Sequence, residues 1–133
     1  MSQATAKELA QRFLSENMNE DLLADDFVWI VPQSIADAIG GDFMRKGLHE
    51  HVHALHEKIY DVATMQSDVH FLIGEGDWAA YEFEVRAKNT VGGDYHNHYC
   101  LTFHSRDGKL ACIREHVDTL YTKQVLLEPA GMA

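Results

Sequence analysis

Cysteine, proline and basic residues are all scarce in this chain, and each scarcity removes a class of function. Two cysteines and two prolines among 133 residues cannot build a disulfide framework or a proline-rich scaffold, which need several bridges or a repeated pattern. Cys100 and Cys112 could face each other across a hairpin, but in a chain without a secretory leader they are expected to be reduced, small core residues. Lys and Arg number 11 against 21 Asp and Glu, a formal charge of -10, and the cations are scattered. Phosphate backbones need clustered cations, so no nucleic-acid partner is expected, and acidic substrates are disfavoured on the same ground. No stretch approaches the ~20 apolar residues that span a bilayer, and the segment from Met1 to Glu8 lacks an apolar leader. The expectation is a cytoplasmic protein with no membrane partner.

What is present suits one globular domain. The 133 residues, 46% of them hydrophobic, suffice for one core and not for two. No linker, repeat or low-complexity tract divides them, so a single domain over 1–133 is expected, with its core at about 4–123. Ala6, Leu9, Ala10 and Phe13 recur at helical spacing and predict a first helix from Ala4 to Leu14. A helical turn over Glu20 to Ala24 and a strand over Phe27 to Val31, stopped by Pro32, follow. Gln33 to Met44, with Gly40-Gly41, reads as an irregular loop. Gly47 then precedes a helix whose apolar face is Leu48, Val52, Leu55 and Ile59.

Four strands complete the chain: Ser67 to Gly74, Trp78 to Ala87, Tyr95 to Ser105, and Leu110 to Val117, with turns at Asp77, Gly92-Gly93 and Asp107-Gly108. Helices followed by a meander resolve into an α+β fold, a strongly curved antiparallel sheet wrapped around helices on one face. Such a sheet encloses a pocket. Strand alternation then sorts the faces. Tyr81, Phe83 and Val85 point inward, as do Asn97, Tyr99, Leu101 and Phe103, and on the last strand Ala111, Ile113, Glu115 and Val117. The first strand is apolar on both faces and is left open by alternation. Glu82, Glu84, His96, His98 and His104 form an outer polar lattice of the kind that suits a partly buried interface.

Several short motifs recur here in a fixed order: Asp25-Asp26-Phe27-Val28-Trp29 before Pro32, the Lys46-Gly47 helix entry, Tyr95-x-Asn97-x-Tyr99, and Asp107-Gly108-Lys109-Leu110 leading to Arg114-Glu115-His116-Val117-Asp118. Together they make the chain resemble the SnoaL-like proteins of the nuclear transport factor two-like superfamily, which has a cone-shaped α+β fold and includes ketosteroid isomerases, scytalone dehydratases and limonene-epoxide hydrolases. The resemblance covers nearly the whole chain. It implies that Val31 stands where ketosteroid isomerases carry their base, which would turn Phe27, Trp29 and Val31 inward. It also implies a homodimer through the outer sheet face. The expected pocket is lined by Phe13, Trp29, Val31, Tyr81, Phe83, Asn97, Tyr99, Leu101, Ile113 and Glu115, apolar and aromatic with a few polar groups.

An inward carboxylate among aromatic residues is desolvated, which raises its proton affinity toward neutral pH and makes Glu115 the leading acid/base candidate. Limonene-epoxide hydrolases hold a catalytic carboxylate at the matching place, so the resemblance implies a similar task. The alternative is a carboxylate tied to Arg114, Asn97 or a tyrosine hydroxyl. Asn97 and Tyr99 can polarise a ligand oxygen or serve core hydrogen bonding. Asp118 is expected to cap the turn after the last strand. Departures from the named enzymes matter as well. Phe13 and Val31 stand where ketosteroid isomerases need a hydroxyl and a carboxylate, and Glu82 to Arg86 lacks the Arg-x-Asp pair of limonene-epoxide hydrolases.

His49, His53, His56 and Tyr60 make a stripe beside the apolar face of their helix at about 100° per residue, and a solvated, pH-responsive face is expected in place of a metal site, since the His-Glu-x-x-His order is absent. No metal and no cofactor are expected. The reading that results is a cofactor-independent acid/base enzyme of isomerase, cyclase or hydratase/dehydratase type, acting on a small, mostly apolar, carbonyl-bearing or polyketide-like compound. Its rivals are a non-catalytic small-ligand-binding module of the same fold and a dimer without a ligand.

Overall fold

Thr5 sets the start of the first helix, because its hydroxyl accepts from the Glu8 amide at 3.2 Å while the Glu8 carboxylate takes the Thr5 N–H. The computed structural model describes residues 3–133, and this helix, α1, spans Ala6–Ser15 with Ala6, Leu9, Ala10 and Phe13 buried. A 3₁₀ turn at Glu20–Leu22 leads into β1, Leu23–Ile30. After α2 (Gln33–Ile39) and β2 (Phe43–Met44) comes α3, Leu48–Ile59. The rest is a meander of β3 (Tyr60–Glu75), β4 (Trp78–Asn89), β5 (Asp94–Arg106) and β6 (Lys109–Val117), closed by α4 (Thr119–Thr122) and a π-helical turn, Lys123–Leu127.

The six strands form one sheet in the order β2-β1-β6-β5-β4-β3. Helices cover its inner face, so the α+β cone expected from the sequence is the fold observed. Every pairing is antiparallel except β1 with β6, which is parallel. Parallel neighbours need a long crossover, and α2, α3 and the first three strands of the meander supply it. Phe13, Phe27, Phe103, Leu110 and Ile113 are fully buried in one core cluster with residues of α1 and the sheet.

Four segments depart from expectation. β1 begins at Leu23, inside the expected helical turn and ahead of Phe27, and ends at Ile30. Gln33–Ile39 is helical, not irregular: Ile35 and Ile39 sit one turn apart and face the core, and Gly40, at φ 92°, closes the helix in the left-handed region. β3 begins at Tyr60, well before Ser67, with register shifts at 61–66 and 69–71 that break the alternation a strand is recognised by. The core also continues beyond 123, since Leu126 and Leu127 are 1% exposed.

Cys100 pairs in register with His116 and Cys112 with His104, so the two thiols do not face each other and both are free. Asp118 caps α4 by accepting from the Tyr121 amide at 3.1 Å. Among the described residues no helix is long and apolar enough to cross a membrane.

Candidate functional site

Between α1, α3 and the inner face of the sheet lies a cavity of about 380 Å3, a size suited to a small molecule. Two sets of rings shape it. Trp29 of β1 meets Phe13 and Phe43 edge-on, at centroid distances of 6.4 and 5.5 Å. Opposite, Tyr81, Phe83 and Tyr99 stack in sequence at 4.8 and 5.3 Å with interplanar angles of 24° and 12°. These three side chains come from the registered pair β4 and β5, where Phe83 lies opposite Tyr99 and Tyr81 opposite Leu101. The pleat therefore aligns them into one flat aromatic wall. Leu14, Asn17 and His49 are exposed and mark the mouth.

Seven of the residues expected to line the pocket do so: Phe13, Trp29, Tyr81, Phe83, Tyr99, Leu101 and Glu115. Val31, Asn97 and Ile113 do not. Val31 is 3% exposed and borders a shallow groove beside Pro32, with its N–H donated to Asp42 Oδ1 at 3.0 Å. Ile113 is enclosed by the core at 0% exposure. The Asn97 amide is taken up by Tyr95 Oη and Thr122 Oγ1, each at 3.1 Å, and by the Asp118 carbonyl at 3.3 Å. The chain end after β6 wraps over this amide, which strand alternation could not foresee.

Glu115 stands opposite Leu101 on β6, two residues from the partner of Tyr99. Glu115 lines both the cavity and the shallow groove. Burial among apolar neighbours pushes its pKa up to about 7, and the nearby Trp29 indole offsets only part of that rise. The indole N–H itself has no hydrogen-bond partner among the described residues. A carboxyl group poised near neutrality can take or give a proton at working pH.

A chain of hydroxyls ends beside it. Asn97 Nδ2 can only donate, so Tyr95 Oη accepts from it, with Tyr99 Oη 2.5 Å and Thr122 Oγ1 3.4 Å away. Tyr99 Oη in turn lies 3.2 Å from Tyr60 Oη. Tyr60 and Tyr99 both line the cavity. Burial pushes the pKa of all three tyrosines up, so their hydroxyls stay neutral. Tyr60 also feels the Glu115 charge.

Residues absent from the expected pocket include Tyr60, His56, Met65, Ser67, Thr122 and Leu126. Tyr60 and His56 were legible as part of a stripe on α3, but that stripe divides. His53 is exposed and paired with Glu57 at 3.0 Å, whereas His56 is half-buried against the Tyr60 ring, 5.4 Å away, and burial lowers its pKa. Among the described residues the one cluster with metal-ligand geometry lies elsewhere, on the outer sheet face.

The comparisons agree with this architecture. The model of the SnoaL-like domain family matches residues 12–113, while no curated protein matches the sequence. An NTF2-like protein from Burkholderia thailandensis superposes with a TM-score of 0.76 at 13% identity, over 92% of this chain and 97% of its own. A candidate SnoaL-like polyketide cyclase from Jannaschia sp. CCS1 gives 0.67 at 13% identity, over 97% of each chain. TerC, co-crystallised with polyporic acid, gives 0.66 at 16% identity, over 88% of this chain and 91% of its own. At these identities the structural likeness speaks to the fold alone. The family match spans most of the sequence, and on it the chain belongs to the SnoaL-like domain family.

Proposed function

We propose that this protein is a cofactor-independent acid/base enzyme that isomerises, cyclises or (de)hydrates a small, flat, mostly apolar carbonyl compound of polyketide type. The observation that carries this reading is Glu115, a carboxyl group with its pKa near 7 inside an aromatic cavity. In the proposed reaction the Glu115 carboxylate removes a proton from a carbon next to the substrate carbonyl. As negative charge moves onto the carbonyl oxygen, the Tyr60 hydroxyl donates to it, supported from behind by Tyr99, Tyr95 and Asn97. Glu115, now protonated, returns the proton at a second position of the substrate and is restored. The Tyr81–Phe83–Tyr99 wall holds the ring system of the substrate by stacking.

The preference for a flat cyclic compound draws support from TerC, a structural neighbour crystallised with polyporic acid, and from the neighbour described as a candidate polyketide cyclase. Assembly forms the second part of the reading: a homodimer through the outer sheet face, seated on the end of that face where Ile73 and Trp78 remain 58% and 55% exposed.

Thermal-shift screening of cyclic carbonyl compounds identifies a ligand, whose conversion is then followed with wild type and Glu115→Gln. The variant keeps the shape of the side chain and removes its titration. Turnover should fall by roughly 10²–10⁴-fold, with affinity little changed and no loss of melting temperature at pH 8. Ligands that bind wild type without any conversion would favour the binding-module reading. Undiminished turnover in Glu115→Gln would remove Glu115 from the chemistry.

A further inference from the structure

We propose that His70, Glu84 and His98, brought together on the outer face of the sheet, form a site for a divalent transition-metal ion of the zinc type. One ligand atom from each lies within 4.8 Å of the others. The three residues come from three adjacent strands. Glu84 and His98 are direct cross-strand partners of β4 and β5. His70 joins them through a β-bulge in β3: Val69 pairs with Phe83 and Phe71 with Glu82, so His70 is the extra residue. The bulge re-aims its ring onto the outer face, a use to which bulges are often put near functional sites.

The surroundings prepare these side chains for a metal. Glu82 accepts from His70 Nδ1 at 2.8 Å, which fixes the ring and leaves Nε2 facing Glu84 Oε2 at 2.6 Å. A carboxylate behind a histidine is the usual support for a metal-bound imidazole. The other Glu84 oxygen is held by Arg86 at 3.1 Å and by His96, and His98 Nε2 lies 3.9 Å from it. Zinc bonds of about 2.0–2.2 Å require donor atoms about 3–4 Å apart. The 2.6 Å contact must therefore open slightly to admit the ion. The ion replaces the proton shared by His70 and Glu84 and releases it to solvent. His96, whose ring lies 5.4 Å from that of His98, or water completes the coordination. Mixed imidazole and carboxylate donors of this kind suit zinc and its neighbours better than magnesium or calcium.

The α3 histidines give the natural control. His49 and His53 stack with centroids 6.3 Å apart, and although Glu57 pairs with His53 at 3.0 Å, no three donor atoms among the described residues gather there as they do at His70, Glu84 and His98. The test is calorimetric titration of the untagged full-length chain with Zn2+ alone, alongside His70→Asn, His98→Asn, Glu82→Gln and the double variant His49→Asn/His53→Asn. The proposal expects one zinc per chain in wild type and in the double variant. Glu82→Gln should weaken binding roughly 10–100-fold, and each of the two ligand variants should weaken it more. With a side chain 60% exposed, His98 is replaceable without loss of fold, so His98→Asn decides the matter should His70→Asn fail to fold. Absence of zinc binding in wild type would overturn the proposal. So would binding that survives His98→Asn, or binding abolished by the double variant on α3.

Discussion

The hydroxyl oxygens of Tyr95 and Tyr99 lie 2.5 Å apart, and this contact connects a fully enclosed amide to the wall of the cavity. Tyr95 is 1% exposed and receives a hydrogen from Asn97, whereas Tyr99 lines the cavity together with Tyr60, whose hydroxyl oxygen is 3.2 Å from its own.

Tyr60→Phe removes the hydroxyl that the proposed reaction uses as its donor. Its loss should lower turnover by about 10²–10³-fold, the usual cost of one oxyanion donor. Tyr99→Phe acts through Tyr60 and should lower it less, while removing the hydroxyl between Tyr95 and Tyr60 and lowering stability by about 0.5–1.5 kcal/mol. Steady-state rates and chemical denaturation of both variants check the order. Full turnover in Tyr60→Phe would contradict it.

Asn97→Ala tests a different role. Since the amide serves Tyr95, Thr122 and the Asp118 carbonyl, its removal should cost on the order of 1–3 kcal/mol in urea denaturation and leave ligand affinity nearly unchanged. A residue that gripped the ligand directly would show the opposite pattern.

The raised pKa of Glu115 makes stability depend on pH with a definite sign. Unfolded, the group titrates near 4.5; folded, near 7. Between these values the folded state binds more protons, so the protein loses stability as pH rises through that window. The loss, on the order of 1–3 kcal/mol, is complete above pH 7 and should be absent in Glu115→Gln. Melting curves of both proteins from pH 4.5 to 8 measure it. Parallel pH profiles would show that Glu115 is not desolvated.

Much of this architecture was legible because its periodicities are clean. The alternation Tyr81-Phe83-Val85 and Tyr99-Leu101-Phe103 put the aromatic wall on the inner face, Ala111-Ile113-Glu115-Val117 put Glu115 there, and Ala6, Leu9, Ala10 and Phe13 gave α1. The failures have physical causes. Asn97 shares the inner face but is covered by Thr122 from beyond β6, a long-range contact that no local pattern encodes. Tyr60 falls at the junction where α3 runs directly into β3, so helical spacing assigned it to a flank while its strand backbone turns it toward Tyr99. His70 reaches the outer face by a bulge, and bulges invert the alternation used to read faces.

Gly74 provides a check on how α1 seats against the sheet. A Cβ there would lie 2.8 Å from Lys7 Cβ and 3.1 Å from the Trp78 carbonyl oxygen, neither of which can rotate away. Gly74→Ala should push α1 outward and destabilise the protein by about 1–3 kcal/mol, read as a lower denaturation midpoint. An unchanged midpoint would mean that the helix is held less closely than its contacts indicate.

The most direct test of the account is the titration of the Glu115 carboxyl group itself, followed by carbon-13 NMR in protein labelled at glutamate and assigned by comparison with Glu115→Gln. A carboxyl group desolvated by this cavity titrates near pH 7, as the structure indicates, and its resonance disappears in the variant. A Glu115 resonance that titrates near 4.5, the ordinary value for a glutamate, would contradict the claim that the cavity holds a proton-transfer group poised at neutral pH.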